Sequence, residues 1–460
     1  MSTTTLSRAF GLGTRVSTVT STAPPHVQAD TMAPTAVARS LHHAPRPYDA
    51  GLLLAVLALV GLGIVMVYSA SVGVADMRFG DPTKYLRQHL RHVALAMVAL
   101  MLGMSIPYTR WRTWVYPTLL GAIAMLVAVL AGAGINRGYS SRWLNLYVLE
   151  FQPSEVAKLA FVIYLAYSLE KKHERLRSFL IGFLPHLIVC GVLAGLCLFQ
   201  PDLGTCIVLA GVMFAMLWVA GTKSAYTVGL VTVAAWLAFI YLQNSARWKR
   251  VGAWLDPYSD RYGSGFQVVN SLISIGSGGT EGMGLGMGRQ KMGFLTQGFS
   301  DFMFSSIGEE LGLIGCAAVI AIFGYILWRG YRVAVRAPDH LGRYLAFGVT
   351  VLICFQATFN MSVSVGFLPT KGLNLPFVSG GGSSLMVTAF AIGILLNVSR
   401  YAGAPQHRLR EALGSMRLSM RTRQDVESRA TKATKERKPI KQRDSGIQPF
   451  VRPSNGGGRA

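Results

Sequence analysis

The side chain best placed for acid–base chemistry is the carboxylate of Asp301, which ends a glycine-rich stretch and directly precedes an apolar segment. A carboxylate in that position is suited to act as a general base on a hydroxyl group. Asp is also a preferred N-cap residue of helices, so a purely structural role is the alternative. Glu309 and Glu310 follow roughly 12 Å further along the predicted helix. We therefore expect neither glutamate to form a paired-carboxylate site with Asp301, which argues against a hydrolase dyad.

The glycine-rich stretch before Asp301 begins at Gly276 and reads GSGGTEGMGLGMGRQ. Glycine lets two groups approach each other where a side chain would keep them apart. We interpret the stretch as a segment whose backbone approaches a bulky ligand next to Asp301.

Several polar residues lie at the ends of apolar segments and are candidates for binding a substrate. Arg142 lies shortly before the sequence FQPSEVAKLA, which contains Gln152, Glu155 and Lys158. Lys158 is one turn inside an apolar segment, where a charge costs at least about 2.5 kcal/mol and usually lines a pathway. An ion pair with Glu155, three residues earlier, is the alternative. Asp202, in the sequence QPDLGT, is explained adequately by a turn.

Two more segments contribute candidates that bind anions. The long connection after the seventh predicted span contains Arg250, for which a solvated, salt-bridged loop is the alternative. The sequence FLPTKGLNLPFVSGGGSS contains Lys371 between two prolines, followed by Ser383 and Ser384. The ammonium group of Lys371 can hold a phosphate as a point charge, with hydroxyl groups alongside it.

The composition places these residues in a membrane protein. Hydrophobic residues make up 51% of the 460 residues, the mean hydropathy is +0.40, and the net charge is +23. An apolar body with basic segments elsewhere is typical of a polytopic membrane protein. Most of the basic residues, about 30 of the 44 Lys and Arg, fall in the predicted cytoplasmic segments, which fits the positive-inside rule and argues against a nucleic-acid partner. The cysteines show no metal-ligand spacing, and we expect no closed metal site and no organic cofactor.

The chain divides into two tails and one membrane domain. Residues 1–47 lack any sustained apolar stretch and are predicted to be a disordered cytoplasmic tail. Residues 48–400 contain about ten apolar segments of the length that a bilayer needs, which predicts an all-α polytopic membrane protein of about ten transmembrane helices. The connection at 243–301, between predicted helices 7 and 8, is a large extracytoplasmic loop. Residues 401–460 are a basic, disordered cytoplasmic tail that is attracted to anionic membrane lipids.

The motifs FQPSEVAKLA, QPDLGT, SDFMFSSIGEELG and LPTKGLNLPFVSGGGSSL together resemble the SEDS family of bacterial cell-wall proteins, from the first span to about Arg400. The last motif is more similar to the division members of the family than to the elongation members. The carboxylate of the family's TDFIF-type motif falls on Asp301. Family members commonly read LPEAHTDF where this chain has Gln297 and Phe299 in LTQGFSDF, and VSYGGSS where it has Gly380.

The resemblance implies a peptidoglycan glycosyltransferase that polymerises lipid II, the undecaprenyl-diphosphate-linked disaccharide peptide, during septal cell-wall synthesis. Asp301 would act as the general base on a glycan hydroxyl. The lipid diphosphate leaves as an anion, and cationic side chains are candidates to stabilise it, namely Arg142, Lys158, Arg250 and Lys371. A divalent cation, Mg²⁺ or Mn²⁺, is a further candidate for this role.

The implied location is the bacterial cytoplasmic (inner) membrane at the division septum, with both termini cytoplasmic. The implied partners are a class B penicillin-binding protein, which is a transpeptidase, other division proteins and membrane lipids. A lipid II flippase is the main alternative function. A flippase needs polar groups along the whole path across the membrane. The candidate residues here lie toward the outer end of that path, which favours the polymerase. A scaffold that only recruits the transpeptidase would leave the polar residues unexplained.

Overall fold

The computed structural model describes residues 47–137, 140–145, 150–226, 228, 229, 232, 240, 245–290 and 298–402. The predicted tails lie outside these residues, apart from their first or last few positions next to the membrane domain. Most of the predicted seventh span, 224–242, also lies outside them, and so does Gln297.

The described part of the chain is mainly helical. Its α-helices are α1 (Ala50–Phe79), α2 (Lys84–Ser105), α3 (Trp111–Ala128), α4 (Pro153–Lys171), α5 (Leu184–Phe199), α6 (Leu203–Val219), α7 (Ser245–Leu255), α8 (Phe266–Gly278), α9 (Met303–Arg336), α10 (His340–Ser364) and α11 (Gly382–Tyr401). Four short helical turns extend or join these helices. Two are 3-10 turns, at Tyr108–Arg110 and His173–Arg175, and two are π-helical turns, at Val129–Ala133 and Phe179–Phe183.

A small antiparallel sheet departs from the all-α prediction. Its strands are β1 (Gly134–Arg137), β2 (Ser140–Asn145) and β3 (Glu150–Phe151), in the order β1-β2-β3. Gly134 pairs with Leu144, and Leu144 pairs with Phe151. The sheet connects α3 to α4.

The predicted polytopic membrane architecture is confirmed. Within the described residues, six helical segments are long and apolar enough to cross a membrane: Ala50–Phe79, Tyr108–Ala133, Phe179–Phe199, Met303–Arg336, His340–Ser364 and Gly382–Tyr401. The apolar helix α6 is shorter. The count of about ten spans stays a prediction, because α2 and α4 carry more charged or polar residues and the seventh span is largely outside the described residues.

The centre of the bundle is formed by α4, α10 and α11, whose side chains are buried on most sides. In α4, Phe161, Leu165 and Leu169 are fully buried, and in α11 the same is true of Ile392 and several neighbours. Helices that are apolar all round are expected in the interior of a membrane bundle. The helices α3, α5 and α9 bury a smaller share of their surface and expose large apolar side chains, as lipid-facing helices do.

The first and last helices are tied together at one end of the bundle. Asp49 caps α1 through Leu52 N at 3.0 Å, and Arg329 Nε of α9 donates to the same carboxylate at 3.0 Å. The backbone N–H of Asp49 donates to Ser399 Oγ at 3.2 Å, and the Arg400 guanidinium lies 4.7 Å from the centre of the Tyr48 ring. The chain therefore enters α1 and leaves α11 at the same end of the bundle.

Candidate active site

Asp301 lies in a turn that is held in place by two other parts of the fold. Asn360 Nδ2, on α10, donates to the Asp301 carbonyl at 2.8 Å. Ser379 Oγ, in the segment before α11, donates to the Ser300 carbonyl at 2.6 Å. The backbone of Gly380 donates to Phe299 O at 2.9 Å. The backbone that carries the Asp301 side chain is therefore fixed before α9 begins.

Asp301 is not the N-cap residue of α9, which was the structural alternative that the sequence left open. Helix α9 begins at Met303, and its N-cap residue is Phe302, with no side-chain hydrogen bond to the helix start. The carboxylate of Asp301 is half-buried and faces a cavity instead.

The segment between α10 and α11 brings Lys371 next to Asp301. Asn360 Nδ2 also donates to Leu373 O at 2.6 Å, and Leu375 N donates to Ser379 Oγ at 2.9 Å, so the backbone of this segment is held at two points. A Cβ atom at Gly372 would lie 3.1 Å from Asp301 Oδ2. Glycine therefore allows the chain around Lys371 to pass directly beside the carboxylate.

One cavity of about 430 Å³ collects the polar ends of these segments. It brings together Asp301, Arg142 and Lys371, three of the residues that the sequence predicted. Its other lining residues are Pro201, Asp202, Leu203, Gly204, Gly263, Ser264, Phe266, Gln267, Phe302, Thr370 and Gly372. A cavity of this size with two cations and the carboxylates of Asp202 and Asp301 can bind an anionic ligand and deprotonate a hydroxyl group.

Arg142 reaches the cavity from strand β2. Its Nε donates to Gln200 O at 2.7 Å, a terminal nitrogen donates to Pro201 O, and another lies 3.9 Å from Asp202 Oδ1. Asp202 is itself buried and caps α6 through Thr205 N at 3.2 Å. The guanidinium is thereby oriented along the wall of the cavity.

Burial raises the pKa of Asp301 from its usual value to about 6, with Arg142 and a hydrogen bond from Ser300 acting in the opposite direction and Asp202 adding to the rise. A pKa near 6 leaves the carboxylate mostly ionised at neutral pH while keeping it more basic than an exposed aspartate. This is the direction of change that suits a general base.

Lys158 does not line this cavity. Its ammonium group lies 2.9 Å from Glu155 Oε1 and 2.8 Å from Gln356 Oε1, and the side chains of Lys158 and Glu155 are 1% and 7% exposed. The ion pair, which was the alternative for Lys158, is the arrangement found. Gln356 Nε2 donates in turn to Asn374 O at 3.2 Å, so the pair connects α4 through α10 to the segment that carries Lys371.

The other predicted binding residues are placed differently. Gln152 is half-buried and its amide lies 3.5 Å from Asp202 Oδ2, so it contacts a cavity residue without lining the cavity itself. Ser383 and Ser384 are buried in the first turn of α11 and do not line the cavity. The side chain of Arg250 lies outside the described residues. A direct contact between these residues and substrate stays a prediction.

Part of the glycine-rich stretch packs against the start of α9, and the approach of its backbone to a ligand stays a prediction. A Cβ atom at Gly282, which has φ +86°, would collide with the backbone carbonyl of Glu310. Arg289 N and Gln290 N donate to Glu309 Oε1 at 2.5 and 3.0 Å, and Gly286 N donates to Glu310 Oε2 at 3.1 Å. Gly278, Gly282 and Gly288 thus let this stretch pack against the start of α9, and the two buried glutamates hold it there.

The structure adds cavity residues that sequence reasoning undervalued. Asp202 was explained by a turn alone, yet it is both the cap of α6 and a wall of the cavity. Ser264 and Gln267, from the sequence GSGFQ, and Thr370, next to Lys371, are the others. The sequence feature that could have identified them is the presence of polar residues at the borders of apolar segments.

A divalent cation would find an incomplete set of protein ligands among the described residues. They contain no group of three or more His, Cys, Asp or Glu side chains arranged to hold a metal. Asp202 and Asp301 nevertheless line the same cavity. Mg²⁺ is commonly held by one or two carboxylates together with water and substrate phosphates. The two carboxylates fit that mode only in the presence of a phosphate ligand.

Residues 50–403 match a family model described as "Cell cycle protein" and labelled FtsW, RodA and SpoVE. The chain is 44% identical over 361 residues to "Probable peptidoglycan glycosyltransferase FtsW" of Geobacter metallireducens, covering 78% of this chain and 96% of that relative. It is 39% identical over 357 residues to "Stage V sporulation protein E" of Bacillus subtilis, covering 77% and 97%.

Two solved structures share the fold. One, described as "Structural coordination of polymerization and crosslinking by a peptidoglycan synthase complex", is 29% identical with a TM-score of 0.63 and covers 77% of this chain and 98% of its own. The other is the rod shape determining protein RodA of Thermus thermophilus, 27% identical with a TM-score of 0.58, covering 78% and 98%. The chain therefore belongs to the FtsW, RodA and SpoVE family of cell cycle proteins, which confirms the SEDS resemblance of its motifs.

Proposed function

We propose that this protein is a peptidoglycan glycosyltransferase that polymerises lipid II, with Asp301 as the general base. The observation that carries the proposal is one cavity in which the half-buried Asp301 carboxylate lies with the side chains of Arg142 and Lys371. The name of the Geobacter metallireducens relative, a probable peptidoglycan glycosyltransferase, supports the same reaction.

The reaction requires one bond to form and one to break. Asp301 takes the proton from a glycan hydroxyl, and the oxygen attacks the anomeric carbon of a second substrate molecule. The bond between that carbon and the lipid diphosphate breaks, and the electron pair leaves with the diphosphate. Arg142 and Lys371 stabilise the negative charge of the leaving diphosphate.

A divalent cation would strengthen this stabilisation when it is bound. Asp202 and Asp301 are the side chains that would hold it, together with oxygens of the diphosphate. It would supply positive charge close to the leaving group.

The dependence of the rate on pH tests the assignment of the base. Burial raises the pKa of Asp301 to about 6, and only the ionised form accepts a proton. We therefore expect the rate to rise with pH from 5 to 7, to be about half-maximal near pH 6, and to level off above it. Initial polymerisation rates in buffers of constant ionic strength would measure this. A rate that is flat across this range would argue against Asp301 as the titrating base.

Substitution of Lys371 tests the proposed binding of the diphosphate. Lys371→Ala should raise the lipid II concentration needed for half-maximal rate while the protein stays folded and inserted. Lys371→Arg should rescue poorly, because a planar guanidinium does not replace a compact ammonium in a constrained segment. A Lys371→Ala variant with a normal dependence on lipid II would remove Lys371 from the site.

The assay that separates the candidate functions uses fluorescent lipid II in proteoliposomes. Glycan chains and exchange between leaflets are scored separately on the same preparation. We expect glycan chains. Leaflet exchange without chains would favour a flippase, and neither activity would favour a scaffold.

The protein works, in this proposal, in the bacterial inner membrane at the division septum, with both termini in the cytoplasm. The end of the bundle shared by Asp49 and Ser399 supports placing the two termini on one side. A class B penicillin-binding protein is the proposed partner, together with other division proteins. The similarity of this chain to a component of a peptidoglycan synthase complex supports such a partnership.

A further inference from the structure

We propose that Tyr258 and Tyr262 form a carbohydrate-binding platform at the rim of the cavity, on which sugar rings of the glycan strand pack during polymerisation. The proposal rests on the proposed function. It identifies where the sugar rings that take no part in the bond-forming step would bind.

The two tyrosines belong to a compact loop, residues 257–265, between α7 and α8. The backbone of Gly265 packs directly against the carbonyl oxygen of Pro257, so the two ends of the loop meet. Asp260 holds the interior: its carbonyl accepts from Gly263 N at 3.2 Å and Gly265 N at 3.1 Å, and its carboxylate accepts from Ser264 N at 2.7 Å. The loop is therefore preorganised by its own hydrogen bonds.

The loop is also attached to the cavity. Gly263 and Ser264, which directly follow Tyr262, line the cavity that contains Asp301 and Lys371. At the end of α7, Trp254 Nε1 donates to Gly366 O at 3.0 Å, a few residues before Lys371. A hydrogen bond thus ties the helix before the loop to the chain that leads to Lys371, and Tyr262 directly precedes a residue that lines the cavity.

The side chains of Tyr258 and Tyr262 are largely exposed, although the loop that carries them is compact. Tyr258 is 61% exposed and Tyr262 is 86% exposed, while the loop around them is polar. The Arg261 guanidinium lies 5.8 Å from the centre of the Tyr262 ring. Exposed aromatic side chains in a polar setting next to a cavity are typical of a ligand-binding surface.

The chemistry of the rings indicates what kind of ligand they take. A pyranose ring has an apolar face of C–H bonds and an edge of hydroxyl groups. The face of a tyrosine ring is apolar and electron-rich, and its hydroxyl group can hydrogen-bond at the edge. The ligand is therefore a chain of sugar rings rather than the lipid or the diphosphate. An acyl chain would require apolar surroundings for the two rings, whereas their neighbours Asp260 and Arg261 are charged.

The test measures sugar binding and product length separately. Binding of a lipid-free tetrasaccharide of the glycan strand is followed by saturation-transfer NMR on the protein in nanodiscs, and product length is followed by gel electrophoresis. The double variant Tyr258→Ala with Tyr262→Ala should bind the tetrasaccharide at least about fivefold more weakly and should release shorter chains. Tyr262→Phe alone, which keeps the ring, should retain most of the binding.

Three comparisons make the result decisive. Tyr331→Ala removes an exposed tyrosine of α9 away from the cavity and should change neither readout. Tyr262→Leu keeps apolar area without a flat ring and should behave like Ala. If Leu performs as well as Phe, the side chain acts as an apolar anchor in the membrane surface and the proposal is wrong. Unchanged binding and chain length in the double variant would also overturn it. Asp301→Asn should still bind the tetrasaccharide, so a failure of the catalytic assignment would remain distinguishable.

Discussion

Asp301→Asn is expected to lower the rate of lipid II polymerisation by at least about 100-fold, the contribution that general-base catalysis typically makes. The substitution keeps the size of the side chain and removes its basicity. The thermal stability of the variant should stay close to that of the wild type, because α9 takes no side-chain cap from Asp301. Initial rates of glycan formation and thermal unfolding of the purified variant measure the two effects.

Asp301→Glu provides the matched comparison. It keeps the negative charge and moves it by one methylene, and the backbone of Gly372 leaves little room beside the carboxylate. Positioned chemistry tolerates such displacements badly, so the Glu variant should also be slow. If Glu restored the full rate while Asn did not, the charge would matter and its position would not.

Breaking the buried pair of Lys158 and Glu155 is expected to cost about 3–5 kcal/mol of stability, the usual penalty for leaving one charge of a buried pair uncompensated. Glu155→Gln leaves the ammonium group with only the neutral oxygen of Gln356 as an acceptor. Lys158→Met leaves the Glu155 carboxylate without its cation. Thermal or denaturant unfolding in detergent would show a large loss for either single variant. A loss within the error of the measurement would mean that the pair contributes little to folding.

The double variant Glu155→Leu with Lys158→Met separates stability from substrate binding. Replacing both charges by apolar side chains of similar size is often neutral or stabilising, so the double variant should recover most of the lost stability. Its polymerisation rate then reports on the loss of the charged pair without the accompanying loss of stability. A stable and inactive double variant would show that the pair acts in turnover, as the prediction that Lys158 binds substrate requires, and a stable and active one would restrict the pair to a structural role.

Much of the architecture follows from sequence because the membrane restricts the alternatives. A polar residue at the border of an apolar segment must lie near one face of the bilayer, so Asp301, Arg142 and Lys371 were predicted to share a face before any packing was known. The structure brings these three to one cavity. The two prolines around Lys371 likewise disfavour a regular helix, and this segment is non-helical.

What the sequence could not provide are contacts between distant segments. Lys158 has one candidate partner three residues away and another, Gln356, that is 198 residues away, and only packing of α4 against α10 reveals the second. The glycines indicate that another group packs closely against this stretch. Either a ligand or the backbone of Glu310 would require glycine there, so the sequence alone does not identify the neighbour. Asp202 serves as a cap and as a cavity wall, and a local pattern indicates only the first role.

The most direct test of the central claim measures lipid II binding and turnover by Asp301→Asn in the same proteoliposomes. A general base acts in the transition state and contributes little to the affinity for substrate. We therefore predict that the variant binds lipid II with the affinity of the wild type and forms glycan strands at least about 100-fold more slowly at saturating lipid II. A variant that binds lipid II and makes glycan strands at the wild-type rate would contradict the assignment of Asp301 and the mechanism built on it.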